Sequence, residues 1–334
     1  GAWYRFGRNQ SIDKQKLPKL GVPQTVPEMR VFYDSEGAFC FNNVRVNGIL
    51  TSDDESSYFL LGILNSRVVD FVFRRIAKPK EPRPSGAYFE ANKQYIEPLP
   101  IPRASEMDKT RIAEMARQLE KLHSARRDTL AALDQRLDSQ QMVSAPRPAK
   151  WLWADVGDVA FWASRNTEGL KGRELSNWAK LMQDEKLAAH LLDIGGAMTF
   201  SAPLCARLHQ SELRLYVRDT CIISGVYVSK TEGPVILAQW RRAVRDTFVS
   251  DSVHAAKVVE WLLDLKMTDN EALIEQIAQL NGTLDELEQQ IRTTERALDD
   301  LAYELYALTD EERIMVEQDT RFRWEARIPC PADG

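Results

Sequence analysis

One stretch near the C-terminus constrains this chain most. Leu273, Ile277, Leu280, Leu284, Leu287, Ile291, Thr294, Leu298, Leu301 and Leu305 recur about every 3.5 residues. That spacing places them on one helical face, the seam of a coiled coil. At about 1.5 Å per residue, residues 269–308 make a rod about 60 Å long. Residues 105–141 offer the cover for its seam. Ile112, Met115, Leu119, Leu122, Leu130, Leu133 and Leu137 repeat at three-four spacing there. The pair is expected to pack antiparallel within the chain. A spacer or partner-docking arm is the alternative.

Charge divides the chain in two. Residues 1–150 carry 24 Lys and Arg against 18 Asp and Glu, whereas residues 151–334 carry 20 against 31. Almost all of the acid excess follows Lys266. A net charge of −5 argues against a polyanionic partner for the whole chain, but a footprint for such a partner is local. The acidic third is expected to lie away from any bound polyanion. Its placement on the face of residues 74–83 would count against such a partner.

No run of about 18 apolar residues occurs, so no membrane span is expected. Cys40, Cys205, Cys221 and Cys330 form no Cys-x-x-Cys pair, and His123, His190, His209 and His254 are scattered. A metal site is therefore not expected, and reduced thiols in the cytoplasm are. The chain opens Gly1-Ala2-Trp3 and is read as a piece of a longer protein.

The first hundred residues read as short strands, turns and one helix. VFYDSEGAFCFNN is a β-rich run broken by Ser-Glu-Gly, and RVNGIL holds an Asn-Gly hairpin signal. Residues 60–76 are expected to be one helix with Leu61, Leu64, Val68, Phe71 and Val72 inward. AYFEANKQYIEPLPIP is expected to form one or two strands stopped by proline. SAPRPAK reads as a linker. Within residues 151–266, WLWADVGDVAFWAS, ELSNWAKLMQDEKLAAHLLDI and HAAKVVEWLLDLK read as helices, and ELRLYVRDTCIISGVYVS and PVILAQW as strands. The expected class is α+β.

Arg74, Arg75, Lys78, Lys80 and Arg83 put five cations within ten residues, stiffened by Pro79, Pro82 and Pro84. Such a loop suits a phosphodiester backbone; a solvated surface loop is the alternative. WYRFGRNQSIDKQKLPK interleaves Trp3, Tyr4 and Phe6 with Arg5, Arg8, Lys14, Lys16 and Lys19, a composition for stacking and phosphate contact or for an edge strand. LLDIGGAMTF lacks the spacing of a nucleoside-binding loop and reads as a helix cap at Gly195. Asp184-Glu185-Lys186 offers an acid and a lysine for metal-assisted hydrolysis but reads as helix surface.

WYRFGRNQ, NNVRVNGIL, YFLLGILNSRVVDFVF and YFEANKQYIEPLPIP, in that order, resemble the C-terminal specificity domain of TaqI-like and Eco57I-like N6-adenine DNA methyltransferases. LDDLAYELYALTDEERIMVE resembles their closing segment. The resemblance covers residues 3–137 and about 270–318; residues 145–266 match nothing named. It implies a target recognition domain over 1–104, a long helix or spacer over 105–144, and an inserted or second α+β lobe over 145–267. A coiled-coil helix over 268–318 packing on 105–141 and a tail over 319–334 would follow.

The resemblance also implies a restriction-modification or phage-defence setting. It places a catalytic domain, with its S-adenosylmethionine loop and Asn-Pro-Pro-Tyr motif, outside this sequence, which contains no Asn-Pro-Pro. No cofactor is expected in this chain. The expected partners are double-stranded DNA and that methyltransferase domain. The candidate DNA contacts are Arg8, Arg74, Arg75, Lys78, Lys80 and Arg83, with Tyr4, Asn43 and Arg45 beside them. The alternatives are a nuclease in 145–266, tested by Asp184→Ala, and a coiled-coil scaffold.

Overall fold

The computed structural model describes residues 14–41, 45–80, 88–147, 151–152, 171–174, 202–217, 220–245, 248–249 and 255–327. They form an α+β protein in two compact units. Unit 1 gathers residues 1–82, 87–122 and 291–321; unit 2 gathers residues 83–86, 123–290 and 322–334. The division cuts through the two longest helices rather than at their ends.

Unit 1 is built on a three-stranded sheet of β1 (Lys19–Pro23), β3 (Phe32–Asp34) and β4 (Val46–Ile49), in the order β3-β1-β4 with both outer strands antiparallel to β1. The Asn-Gly hairpin expectation is corrected: Asn47 and Gly48 lie inside β4, opposite Val22 and Gly21. The turn falls earlier, at Gly37 (φ +63°), and β3 reaches β4 by a crossover. The Phe32 ring fills the space above Gly21 and meets Phe41 edge-on at 5.4 Å. A second ladder joins β2 (Thr25–Val26) to β5 (Phe89–Glu90).

The expected single helix over 60–76 is two, α1 (Asp54–Leu64) and α2 (Arg67–Ile76). Polar side chains break it. The Asn65 amide imitates a backbone group, accepting from Val31 N–H at 3.0 Å and donating to Val31 O at 2.9 Å. Ser66 then caps α2 by accepting from Val69 N–H. Asp70, fully buried, accepts from Met29 N–H at 2.8 Å. Asn65 and Asp70 thereby bind the β2–β3 segment to α2, over a core that includes Leu20, Val22, Phe73 and Ile63. Each such side chain contributes about 1.5–3 kcal/mol by leaving water.

Beyond β5 the expected second strand is instead a one-turn helix, α3 (Lys93–Ile96). The Pro-Leu-Pro-Ile-Pro stretch follows it, with Leu99 buried and Pro100 O accepting from the Tyr306 hydroxyl at 2.6 Å. α4 (Glu106–Leu137) and α7 (Glu271–Leu305) each contribute to both units. In unit 1, Ile112 and Leu298 meet at Gly62, where an added Cβ would lie 2.6 Å from Ile112. The closing segment also divides: Ala307 turns at φ +52°, and α8 (Asp310–Arg327) follows. A capping box starts it, with Thr309 accepting from Glu312 N–H and Glu312 accepting from Thr309 N–H.

In unit 2, Arg126 pairs with Glu288 at 2.9 Å and Arg136 with Gln276 at 2.7 Å, so α4 and α7 run antiparallel there. A four-stranded antiparallel sheet holds β7 (Ala202–His209), β8 (Glu212–Val217), β9 (Thr220–Tyr227) and β10 (Phe248–Val249), in the order β10-β7-β8-β9. β6 (Val143–Ser144) and β11 (Lys266–Met267) form a short pair. PVILAQW, expected as a strand, lies in α5 (Glu232–Val244). Pro234 is tolerated in a first helical turn. Val235, Ile236, Ala238 and Trp240 are buried, while Arg242 reaches Asp138 at 2.7 Å and Arg245 reaches Asp134 at 2.8 Å. Trp240 donates its indole N–H to Leu262 O, at the end of α6 (Ala255–Leu263). Cys40 and Cys221 are exposed thiols. Cys205 is disulfide-bonded, which corrects the expectation that all four thiols are reduced.

Candidate nucleic-acid interface

The sequence places its cations at the end of α2. The structure divides them. The Arg74 guanidinium is nearly buried and pairs with Asp70 at 3.1 Å and with Asp319 of α8. Arg75 stacks on the Phe71 ring at 3.3 Å and reaches Asp319 at 3.4 Å. At the other end of α2, Arg67 N–H donates to Asp299 at 2.9 Å and its guanidinium pairs with the same carboxylate at 3.2 Å. Carboxylates from α7 and α8 therefore hold α2 at both ends.

Two corrections follow. Arg74 is not the free cation expected, whereas Arg75, 48% exposed, holds Asp319 only loosely. The acidic C-terminal third does not lie away from the basic cluster: Asp319 neutralises its first two cations, which counts against a polyanion at that end of α2 and leaves such a partner to Lys78 and Lys80. Buried, doubly paired Arg74 is a packing element whose charge is already satisfied.

Lys78, Lys80 and Arg45 are exposed. Residues 78–80 run extended beside β5: Lys80 N–H donates to Tyr88 O at 2.7 Å and Glu90 N–H donates to Lys78 O at 3.0 Å. This pairing fixes the two lysines at alternate positions, so both leave the same side of the strand. Lys80 lies 3.5 Å from Glu90, a loose pair at an exposed site. Among the described residues, Lys78 and Arg45 make no ion pair.

β2 lies across β5 from residues 78–80, and Gln24 organises its open end. Gln24 N–H donates to Arg45 O at 2.8 Å, and Gln24 O accepts from Ala91 N–H at 2.8 Å. Its side-chain amide donates to the Asn92 amide at 3.0 Å, which in turn donates to Glu90 at 3.2 Å. Asn47 adds a bond to Ala91 O at 2.7 Å. Gln24 thus brings Arg45 beside Asn92 and its neighbour Lys93. Lys93 is 82% exposed and 3.8 Å from Glu97. Sequence reasoning missed it because it stands alone between uncharged residues; only the fold brings its neighbour Asn92 to Gln24.

The segments that meet along β2 and β5 thus carry the exposed cations Arg45, Lys78, Lys80 and Lys93, with half-buried Gln24, Asn92 and the Glu90 carboxylate among them. Lysines supply point charges for phosphates, and Asn and Gln amides match the donor–acceptor edge of adenine. Tyr4, Arg8, Asn43 and Arg83 lie outside the described residues, as do Gly195 and the Asp184-Glu185-Lys186 run. Among the described residues no group of three or more His, Cys, Asp or Glu is placed to hold a metal ion, and no helix is long and apolar enough to cross a membrane.

Residues 2–101 match the family model of the TaqI-like C-terminal specificity domain. The patch and the clasped helix both fall inside the matched stretch. A specificity domain of this type points to DNA recognition in a methyltransferase-like protein. No curated protein and no solved structure matches the chain.

Proposed function

We propose that this chain, whose residues 2–101 match the TaqI-like C-terminal specificity domain, is the DNA-reading portion of an N6-adenine methyltransferase of a restriction-modification or phage-defence system. Methyl transfer and its donor, S-adenosylmethionine, belong to a catalytic domain that is a partner of this chain. The residues of this chain grip and read the duplex. One observation carries the proposal: the strand at residues 78–80, paired with β5, presents two exposed lysines on one side, within the matched region.

The division of work follows from the chemistry. Lys78, Lys80, Arg45 and Lys93 meet phosphates, set the register and carry no sequence preference themselves. Gln24 and Asn92 are the amides that carry both donor and acceptor for a base edge, and they meet it by exchanging or sharing their bonds to each other and to Glu90. Arg74, paired with Asp70 and Asp319, holds α2 to α8.

Fluorescence anisotropy with duplex DNA across a salt series tests this assignment. The logarithm of affinity should fall linearly with the logarithm of salt. Lys78→Ala combined with Lys80→Ala should make that slope shallower by about two units, at about 0.9 per phosphate. An unchanged slope would remove these lysines from the interface.

A further inference from the structure

The crossover from β3 to β4 ends its first half in an exposed aromatic that the assigned patch does not use. Phe39 is 62% exposed, yet the backbone that carries it is pinned at every turn. Asp34, buried at the end of β3, accepts from Ala38 N–H at 2.9 Å, from Phe39 N–H at 3.0 Å and from Lys19 Nζ at 2.7 Å. Lys19 is itself buried, donates to Gln15 O at 2.6 Å and lies 4.7 Å from the Phe41 ring. The Gln15 amide holds Phe41 from both sides, accepting from its N–H at 2.8 Å and donating to its O at 3.1 Å. Gly37 adopts φ +63° against the chain at Lys16, where any Cβ would lie 2.2 Å from Lys16 O.

A large ring on so constrained a loop is preorganised: little conformational freedom remains to be lost when it meets a partner. The neighbours identify the partner. Lys14 and Lys16 flank Gln15, are both exposed, and make no ion pair among the described residues. Leu17 beside them is 47% exposed. Glu36 is the one carboxylate exposed on residues 35–41. Lysines are depleted from the cores of protein–protein contacts. An exposed aromatic on a loop packed against the chain at Lys16 suits a partner with anionic groups and flat faces, which DNA offers where an apolar wedge partly unstacks a base step.

We infer that residues 35–41 form a preformed finger that sets the Phe39 ring as an apolar wedge at a base step of the bound duplex, while Lys14 and Lys16 meet the adjoining phosphates. The inference rests on the DNA-reading function proposed above and adds a contact that supplies affinity through stacking rather than charge. The two mechanisms separate in salt: stacking lowers affinity by a constant factor when lost, whereas phosphate contacts change the slope.

The test is anisotropy of the full chain on duplex DNA across a salt series, with thermal melts of each variant. Phe39→Ala should weaken binding about tenfold at every salt concentration, with an unchanged slope and an unchanged melt. Phe39→Trp should bind as well as the parent chain. Lys14→Ala with Lys16→Ala should flatten the slope by about two units. If the parent chain binds and Phe39→Ala binds equally well, the finger is not a DNA contact, while the wider function stands. The same result with a loss of association to another protein chain would reassign the finger to that partner. If Phe39→Ala loses affinity only in proportion to a lowered melt, the ring is packing and the inference falls. If the parent chain binds no duplex at any salt, the function and the finger fall together.

Discussion

Asp70→Ala should lower stability by about 3–5 kcal/mol, the cost of removing one partner from a buried charged network. Asp70 has no exposed surface, accepts from buried Met29 N–H at 2.8 Å and pairs with Arg74 at 3.1 Å. Without it, the Met29 N–H loses its acceptor and Arg74 keeps only Asp319. The segment between β2 and β3 loses an attachment to the helices. Asp70→Asn retains an acceptor for Met29 but turns a donor or a neutral oxygen toward Arg74, and should fall between the parent and Asp70→Ala. Urea midpoints of the full chain measure this. Arg74→Ala is the companion variant. As a structural cation it should lower the midpoint and leave the salt slope of DNA binding intact. A flattened slope with an unchanged midpoint would return Arg74 to the interface.

Asp34→Ala should be comparably severe, also about 3–5 kcal/mol, because it leaves Lys19 buried without its counter-ion. Asp34 further carries a pH signature. Burial by itself raises its carboxyl; the hydrogen bonds from Lys19, Phe39 N–H and Ala38 N–H, with the Lys19 charge, outweigh that and hold it below the usual carboxylate value. The sign is then fixed. A group whose pKa is depressed by folding stabilises the native chain above its unfolded value of about 3.9, and that contribution is lost as pH falls through the lower, folded value. Urea midpoints against pH should therefore drop on acidification in the parent chain. Asp34→Asn should be less stable at neutral pH and show a flatter acid limb. The same variant frees the Phe39 loop, so its DNA affinity should fall at every salt concentration.

Periodicity was legible where it repeated. The three-four spacing of Ile112 to Leu137 and of Leu273 to Leu305 marks α4 and α7, because apolar positions at that spacing share one face only on a helix. It failed where one polar side chain overrules a run. Asn65 and Ser66 split α1 from α2 through bonds to Val31 and Val69, and no window of hydropathy registers an amide that copies a backbone pair. PVILAQW looks like a strand because the first exposed position of α5 lies beyond it, at Arg242; the polar face shows only when that residue is included. Asn47-Gly48 has turn chemistry, yet opposite Gly21 it sits flat in β4, where aromatic rings replace the missing side chains.

The site was legible by composition and hidden in arrangement. Density of positive charge singled out residues 74–83, but it could not show that Asp319, 245 residues further on, closes on Arg74. The acidic end of the chain was likewise visible as charge and misplaced in space. Lys93 and Phe39 carry little local signal, one an isolated cation and the other an apolar residue in an apolar run. Only the backbone bonds of Gln24 and the Asp34 carboxylate accepting from Phe39 N–H show where each is held.

A chain that reads DNA must choose among sequences rather than merely hold the duplex. Repeated selection of a randomised duplex pool by the full chain, followed by sequencing, addresses that choice most directly. Enrichment of one short shared sequence is expected, with Gln24→Ala or Asn92→Ala relaxing the choice at particular positions and Lys78→Ala weakening all sequences alike. A pool that binds but stays random, or one that does not bind at all, would contradict a reading role for this chain.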